Sequence, residues 1–476
     1  MALIFVFVYN RVLALIIERY YEQVTETPEA NHLISGNVLG LIFCQSKTIC
    51  LICIQNPHVM KCRVLLVFCL LFLLSRQVSA QNRSSSKEQE LRRQIRAALF
   101  VPDQLPPLDA EVHGKFEPMP GVVAERITYN TLLGLKVSAI LYLPNPRPAG
   151  KIPALIVVNG HGGDKYAWYS FYSGMLYAQA GAAVLTYDPI GEGERNIDHR
   201  SETRAHDVRQ DPPELGRRMG GLMMTDVMQA VSYLSQRPEV DANRIAAMGY
   251  SMGSFVLSLA GAVETRLHAV VLVGGGNLDG PGGMWDRSKP MCQGIPYQSL
   301  SFLGDRPAVL YSLQASRGPL LIYDGLQDST VSIPRLGAWP FFDDLYRRTA
   351  AVRGSTQGLF EYNFTQGGHR PNFVTKPVAI WLEKQLDFPN WTEADIRAMP
   401  VTHISEWART NGVEIDPGYS SEMREGGAYA LGTGIPAPSR TDLNVFTQEQ
   451  WEIEKNKLIY ESWLKAAKAE VLKPKK

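Results

Sequence analysis

Short, uninterrupted apolar runs recur through the middle of this chain, each followed by residues with helical spacing, and that alternation leaves few folds open. The runs are ALIVVNG (154–160), AAVLTYD (182–188), RIAAMGY (244–250), AVVLVGG (269–275), PLLIYDG (319–325) and LFEYNF (359–364). Continuous β-rich runs without apolar–polar alternation mark strands covered on both faces. Helical spacing fills 167–180, 221–237, 252–264, 338–350 and 374–387. Strands and helices in alternation predict an α/β architecture, a mostly parallel sheet with helices on both faces. Two earlier runs, VVAERITYN (122–130) and VSAILYLP (137–144), alternate apolar and polar positions and predict an exposed antiparallel hairpin. The expectation is an eight-stranded sheet over residues 121–389. Before it, 81–120 read as a charged helix (KEQELRRQIRAALF) and a Pro-rich linker (VPDQLPPLD). Residues 390–476 read as a helical extension ending in an amphipathic helix.

The first eighty residues carry a different signal. Lys61 and Arg63 precede an apolar run of 11 residues, VLLVFCLLFLL (64–74), and the segment ends in the small-x-small pattern Val78-Ser79-Ala80. Basic, apolar and small-residue regions in that order predict a secretory signal over 60–80. The run is shorter than the roughly 18 apolar residues of a spanning helix. Translation from Met60 is therefore expected, with 1–59 an over-long upstream extension and Gln81 the first mature residue of an exported chain. The alternative is a genuine extension with MALIFVFVYNRVLALII as an anchor interrupted by Arg11. Five of the six cysteines lie before Ala80, leaving Cys292 alone in the mature chain, where it is expected to be a buried apolar filler. Stability must then come from a large core rather than from disulfides.

Charge excludes two further classes. With 48 Lys+Arg against 47 Asp+Glu the chain has no basic excess for a nucleic-acid partner. A mean hydropathy of −0.11 does not describe a membrane bundle. No stable membrane anchor is expected in the mature chain.

The chemistry concentrates where strands end. Gly249-Tyr250-Ser251-Met252-Gly253 joins the run 244–250 to the helical stretch from 252, the context in which a tight strand-to-helix turn lifts a serine above the sheet edge as a nucleophile. An acid and then a histidine should follow on later loops. PLLIY leads into Asp324 and Asp328; Asp324, at the strand end, suits a loop brace, whereas Asp328 can reach an imidazole. LFEYNF leads through Gly367-Gly368 to His369. Ser251, His369 and Asp328 thus suit nucleophile, general base and tautomer-fixing acid. The oxyanion of acyl transfer needs N–H donors, expected from Met252 and from the loop 159–164 through Gly163, with Gly162 as runner-up and His161 as a brace. In Asp188-Pro-Ile-Gly-Glu-Gly-Glu-Arg195, Glu192 and Arg195 either contact substrate or close an internal salt-bridged turn. Residues 276–318, carrying Met284, Trp285 and Tyr297, suit a lid or pocket wall, with Trp285 a candidate substrate contact. No residue spacing suggests a metal centre, and no cofactor is expected.

The set HGG, DPIGEGER, the helix around Asp226, RPEVDANRI into GYSMG, GLQDSTV and GGH resembles secreted α/β-hydrolases of the acetyl xylan esterase and dienelactone-hydrolase-like groups over residues 120–390. That resemblance implies the α/β-hydrolase fold, a serine esterase using Ser251, Asp328 and His369, oxyanion positions at Met252 and Gly163, and an ester substrate such as an acetylated carbohydrate. The chain departs from those groups at Ser251, where dienelactone hydrolases carry Cys, at Ser254, where Gly is common, and at Arg370, where the deacetylases carry Glu. A prolyl-oligopeptidase-like serine peptidase shares these motifs, but the roughly 40 residues ahead of the first strand cannot build its propeller. An inactive hydrolase serving as a binding module is the third reading.

Overall fold

The apolar runs become the centre of one nine-stranded sheet, ordered β1-β2-β3-β5-β4-β6-β7-β8-β9. The computed structural model describes residues 86–202, 204–276, 278, 291–369, 373–415 and 429–473. Contacts divide the chain into the units Met1–Ser79 and Ala80–Lys476, and all described residues lie in the second. In chain order the strands are β1 Glu111–Met119, β2 Val122–Asn130, β3 Lys136–Pro144, β4 Ile152–Val158, β5 Ala183–Tyr187, β6 Val240–Tyr250, β7 Ala269–Val273, β8 Leu320–Gly325 and β9 Glu361–Thr365. The pairs β1–β2, β2–β3 and β3–β5 are antiparallel, and every pairing from β5 through β9 is parallel. The order turns back at β4, so the crossover helices cover both faces.

Two expectations need correction. The sheet has nine strands, not eight, because EVHGKFEPM inside the supposed linker forms β1. Its residues are mostly exposed and its pairing with β2 is interrupted by two irregularities, as suits a charged, protected edge strand. The hairpin after it is not exposed. Leu141 and Val137 of β3 share one core cluster with Trp463 and Tyr460 of the C-terminal helix Tyr460–Val471. On the other face, Ile140 and Tyr142 pack in a second cluster with Phe171 and Met175 of helix Trp168–Gln179.

The C-terminal extension therefore belongs to the core. It also ties into the loops above the sheet. Glu194 accepts backbone N–H groups from Val445 and Phe446, and its own carbonyl accepts the Trp451 indole N–H at 2.8 Å. Among the described residues no helix is long and apolar enough to cross a membrane.

Candidate active site

Ser251 sits between the end of β6 and helix Met252–Val263 with φ 52° and ψ −111°, a strained conformation for a residue with a side chain. Small neighbours permit the turn. A Cβ on Gly249 would lie 2.5 Å from Gly253 backbone, and one on Gly253 would overlap the Val158 carbonyl of β4. Ser254 anchors the turn from inside, donating to the Gly249 carbonyl at 2.7 Å and accepting the Val273 N–H at 2.9 Å. Gly253→Ala is expected to destabilise the fold by about 3 kcal/mol, since backbone must yield; the urea midpoint measures it, and an unchanged midpoint contradicts this account.

Two loops meet the serine. The β8 and β9 loops are joined by backbone hydrogen bonds, Leu326 to Thr365 at 3.0 Å and Gln327 to Gly367 at 2.8 Å. That joint brings His369 over Ser251: the hydroxyl lies 2.8 Å from His369 Nε2, and His369 Nδ1 lies 2.8 Å from Asp328 Oδ2. With its proton on Nδ1, the ring donates to the carboxylate and accepts from the hydroxyl. Asp328 is fully buried, and its other oxygen accepts the Thr330 and Val331 N–H groups. The Tyr250 hydroxyl donates to the His369 carbonyl at 2.7 Å and fixes the loop from below.

Asp324 goes elsewhere. Its Oδ1 accepts the Gly275 N–H at 2.9 Å, the side chain is fully buried, and burial together with nearby Asp328 raises its pKa well above the usual range.

The loop after β4 differs from expectation. Gly163 N–H donates to the Gly160 carbonyl at 3.1 Å, closing a turn in which Gly162 takes φ +75°. That proton is directed into the turn, so Gly163 is not free to serve an oxyanion. Gly160 lies against the serine, a Cβ there falling 3.3 Å from Ser251 Cβ. The next N–H, that of His161, makes no hydrogen bond among the described residues, and neither does that of Met252 at the helix start.

Glu192 and Arg195 also depart from the substrate-contact alternative. Arg195 is wholly enclosed, 2.6 Å from Asp226 Oδ2 and donating to the Asp188 carbonyl at 3.1 Å. Glu192 is wholly enclosed too, accepts the Arg204 N–H, and is pushed up to about 8 by burial. Nearby, Lys165 pairs with Asp188 and with Glu194. Burial alone would lower the Lys165 pKa; the two carboxylates overcome it and raise it. The internally paired turn is what this loop forms. Met284, Trp285 and Arg370 lie outside the described residues.

One constellation was not visible in the sequence. His161, His206, Asp207 and Cys292 each offer a potential ligand atom, and these atoms all lie within 4.8 Å of one another. Burial holds the His206 imidazolium down to about 4. Cys292 is buried as expected, yet its sulfur faces polar groups, 3.2 Å from His161 Nε2 and 3.4 Å from Asp207 Oδ1.

Comparison with known proteins agrees with the fold. An uncharacterised protein of Pseudomonas aeruginosa is 25% identical over 286 residues, 59% of this chain; the chain spans 63% of that relative's length. Thiohydrolase apmlB of Arthrinium phaeospermum is 25% identical over 255 residues, 46% of this chain and 74% of its own. Among solved structures, Methylesterase BT1017 shares the fold at 18% identity and TM-score 0.52, covering 81% of this chain and 74% of that one. Acetyl Xylan Esterase 1 from Thermoanaerobacterium sp. JW/SL YS485 is 17% identical at TM-score 0.42, covering 63% and 94%. The sequence profile of the Alpha/beta hydrolase family matches residues 155–425, more than half of the chain, which therefore belongs to that family.

Proposed function

We propose that this hydrolase is an exported serine carboxylic-ester hydrolase working through an acyl-enzyme on Ser251. The observation that carries the reading is the hydrogen-bonded line Ser251–His369–Asp328 above a strained strand-to-helix turn. His369 takes the serine proton as Oγ attacks the acyl carbon, Asp328 holds the ring in the required tautomer, and His369 then protonates the leaving alcohol. The Met252 and His161 N–H groups suit the oxyanion, the first reinforced by its place at a helix N-terminus. Water repeats the sequence and releases the acid.

An acetylated carbohydrate is the proposed substrate, on the strength of the sequence resemblance, and export rests on the signal pattern at 60–80. Mass spectrometry of the exported protein tests Gln81 as its first residue. Turnover is read on a panel of p-nitrophenyl esters, acetylated xylan, methyl glucuronate esters, thioesters and peptide amides. Ester cleavage without amide cleavage supports the reading. Amide cleavage alone points to a peptidase, and no turnover to a binding module.

The two acids on the β8 loop separate cleanly. Asp328→Asn is expected to lower kcat by about 10⁴-fold through the wrong tautomer. Asp324→Asn is expected to leave kcat close to wild type and to raise the melting temperature at neutral pH. The folded pKa of Asp324 exceeds the unfolded one, so rising pH strips the proton from the unfolded chain first and stability falls. An amide cannot ionise, so the pH dependence above about 4 flattens. Equal kinetic losses in the two variants would contradict the assignment.

A further inference from the structure

Beside the proposed oxyanion loop, His161, His206, Asp207 and Cys292 converge from three segments: the turn after β4, the loop after β5, and helix Met291–Ser299. His161 Nε2 lies 3.1 Å from Asp207 Oδ1 and 3.2 Å from Cys292 Sγ. Cys292 Sγ lies 3.4 Å from Asp207 Oδ1, and His206 Nε2 also lies 3.4 Å from that oxygen. A tetrahedron built on bonds of ~2.1–2.3 Å has edges of about 3.4–3.6 Å. These four separations are close to that figure, and the remaining pairs lie within 4.8 Å.

His206 supplies a second observation: an unsatisfied ring nitrogen whose nearest polar group is the Asp207 carboxylate. Its ring is 0% exposed, and its Nε2 makes no hydrogen bond among the described residues. A buried polar atom that makes no hydrogen bond is costly, and an ion among these atoms would remove that cost. The surroundings also hold the ligands in place. Arg204 Nε lies 2.8 Å from Asp207 Oδ2. Cys292 is held by close helix packing: a Cβ on Gly216 or Gly220 of helix Glu214–Gln236 would collide with Ile295 or Pro296.

We infer that His161, His206, Asp207 and Cys292 form a binding site for a zinc-class divalent cation that braces the oxyanion loop. Two imidazoles, one carboxylate and one thiolate form a borderline-soft set that suits Zn²⁺ and carries two negative charges to neutralise it. On binding, Cys292 releases its thiol proton to solvent and its sulfur takes up the metal bond. No open coordination position is required, so the role is structural. The cation would pin His161, which follows Gly160, the residue that packs against Ser251. It would also sit beside Met252, whose Sδ lies 4.0 Å from Cys292 Sγ. That catalytic consequence rests on the acyl-transfer reading, whereas the binding does not.

The test uses the full chain, stripped with EDTA and titrated with Co²⁺. One equivalent is expected to bind, with a thiolate-to-cobalt charge-transfer band in the near ultraviolet, visible bands of four-coordinate cobalt, and displacement by Zn²⁺. Zn²⁺ but not Mg²⁺ should raise the melting temperature. Cys292→Ala is expected to abolish the charge-transfer band, and His206→Ala or Asp207→Asn to weaken Co²⁺ binding by roughly a hundredfold or more. Circular dichroism of the stripped variants establishes that they are folded. The wild-type readout stands without them: a wild-type chain with no charge-transfer band overturns the inference. A band that persists unchanged in folded Cys292→Ala also overturns it, by assigning the thiolate to another cysteine.

Discussion

Ser251→Ala is expected to lower kcat for a p-nitrophenyl ester by about 10⁴–10⁶-fold while leaving KM little changed. The hydroxyl is the atom that forms the acyl bond, and no neighbouring side chain replaces it: Ser254, three residues on, is buried in hydrogen bonds within the turn. Residual turnover should come from binding and the proposed oxyanion donors, which act without the nucleophile. The fold should be undisturbed, since alanine retains the Cβ. The φ of 52° strains it no more than it strains serine. Steady-state kinetics on the purified variant, with its melting temperature as a control, measure the effect. Turnover within tenfold of wild type would remove Ser251 from the reaction.

The second large effect concerns stability. Arg195→Met is expected to destabilise the chain by about 3–5 kcal/mol, because Asp226 is left as an unpaired buried carboxylate. Both side chains are essentially inaccessible, at 0% and 1% exposure, and their contact is 2.6 Å. Adding Asp226→Leu should recover at least half of the loss, since the stranded charge is then gone. Urea unfolding of the wild type, both single variants and the double variant measures the coupling. A raised KM at unchanged stability would instead restore Arg195 as a substrate contact.

The legible parts of this fold were those whose residues speak for themselves. The continuous apolar runs lie in β4 to β9 close to where periodicity put them. β4, β5, β7 and β8 are buried throughout, whereas β9 is an edge strand with no fully buried residue, so its run did not mark a strand covered on both faces. The elbow was legible because the glycines at 249 and 253 admit close backbone approach on both sides of the turn. Asp328 and His369 stood out from their distance past strand ends, and the structure brings both to Ser251.

What the sequence hid has physical causes. β1 is an edge strand whose polar residues face water, so no apolar run marks it. β3 reads as half-exposed, yet residues more than 300 positions later cover its second face. The sequence favoured Gly163, then Gly162, as the donor and His161 as a brace. Only the turn closed by the Gly163 N–H decides which proton is free. Arg195 reads equally as a substrate contact or part of an internally paired turn until Asp226, on a different element, neutralises it inside. His161, His206, Asp207 and Cys292 have no ligand spacing because three separate segments deliver them.

The central claim is a covalent acyl-enzyme on Ser251, and labelling with diethyl p-nitrophenyl phosphate tests it most directly. Attack by an activated serine would displace p-nitrophenolate and leave a stable diethyl phosphoryl group that intact-mass and peptide mapping can locate. The account predicts one adduct per chain, on Ser251, formed in step with loss of esterase activity and absent from Ser251→Ala. Full inactivation with the adduct elsewhere, or an active enzyme that never labels at Ser251, would contradict it.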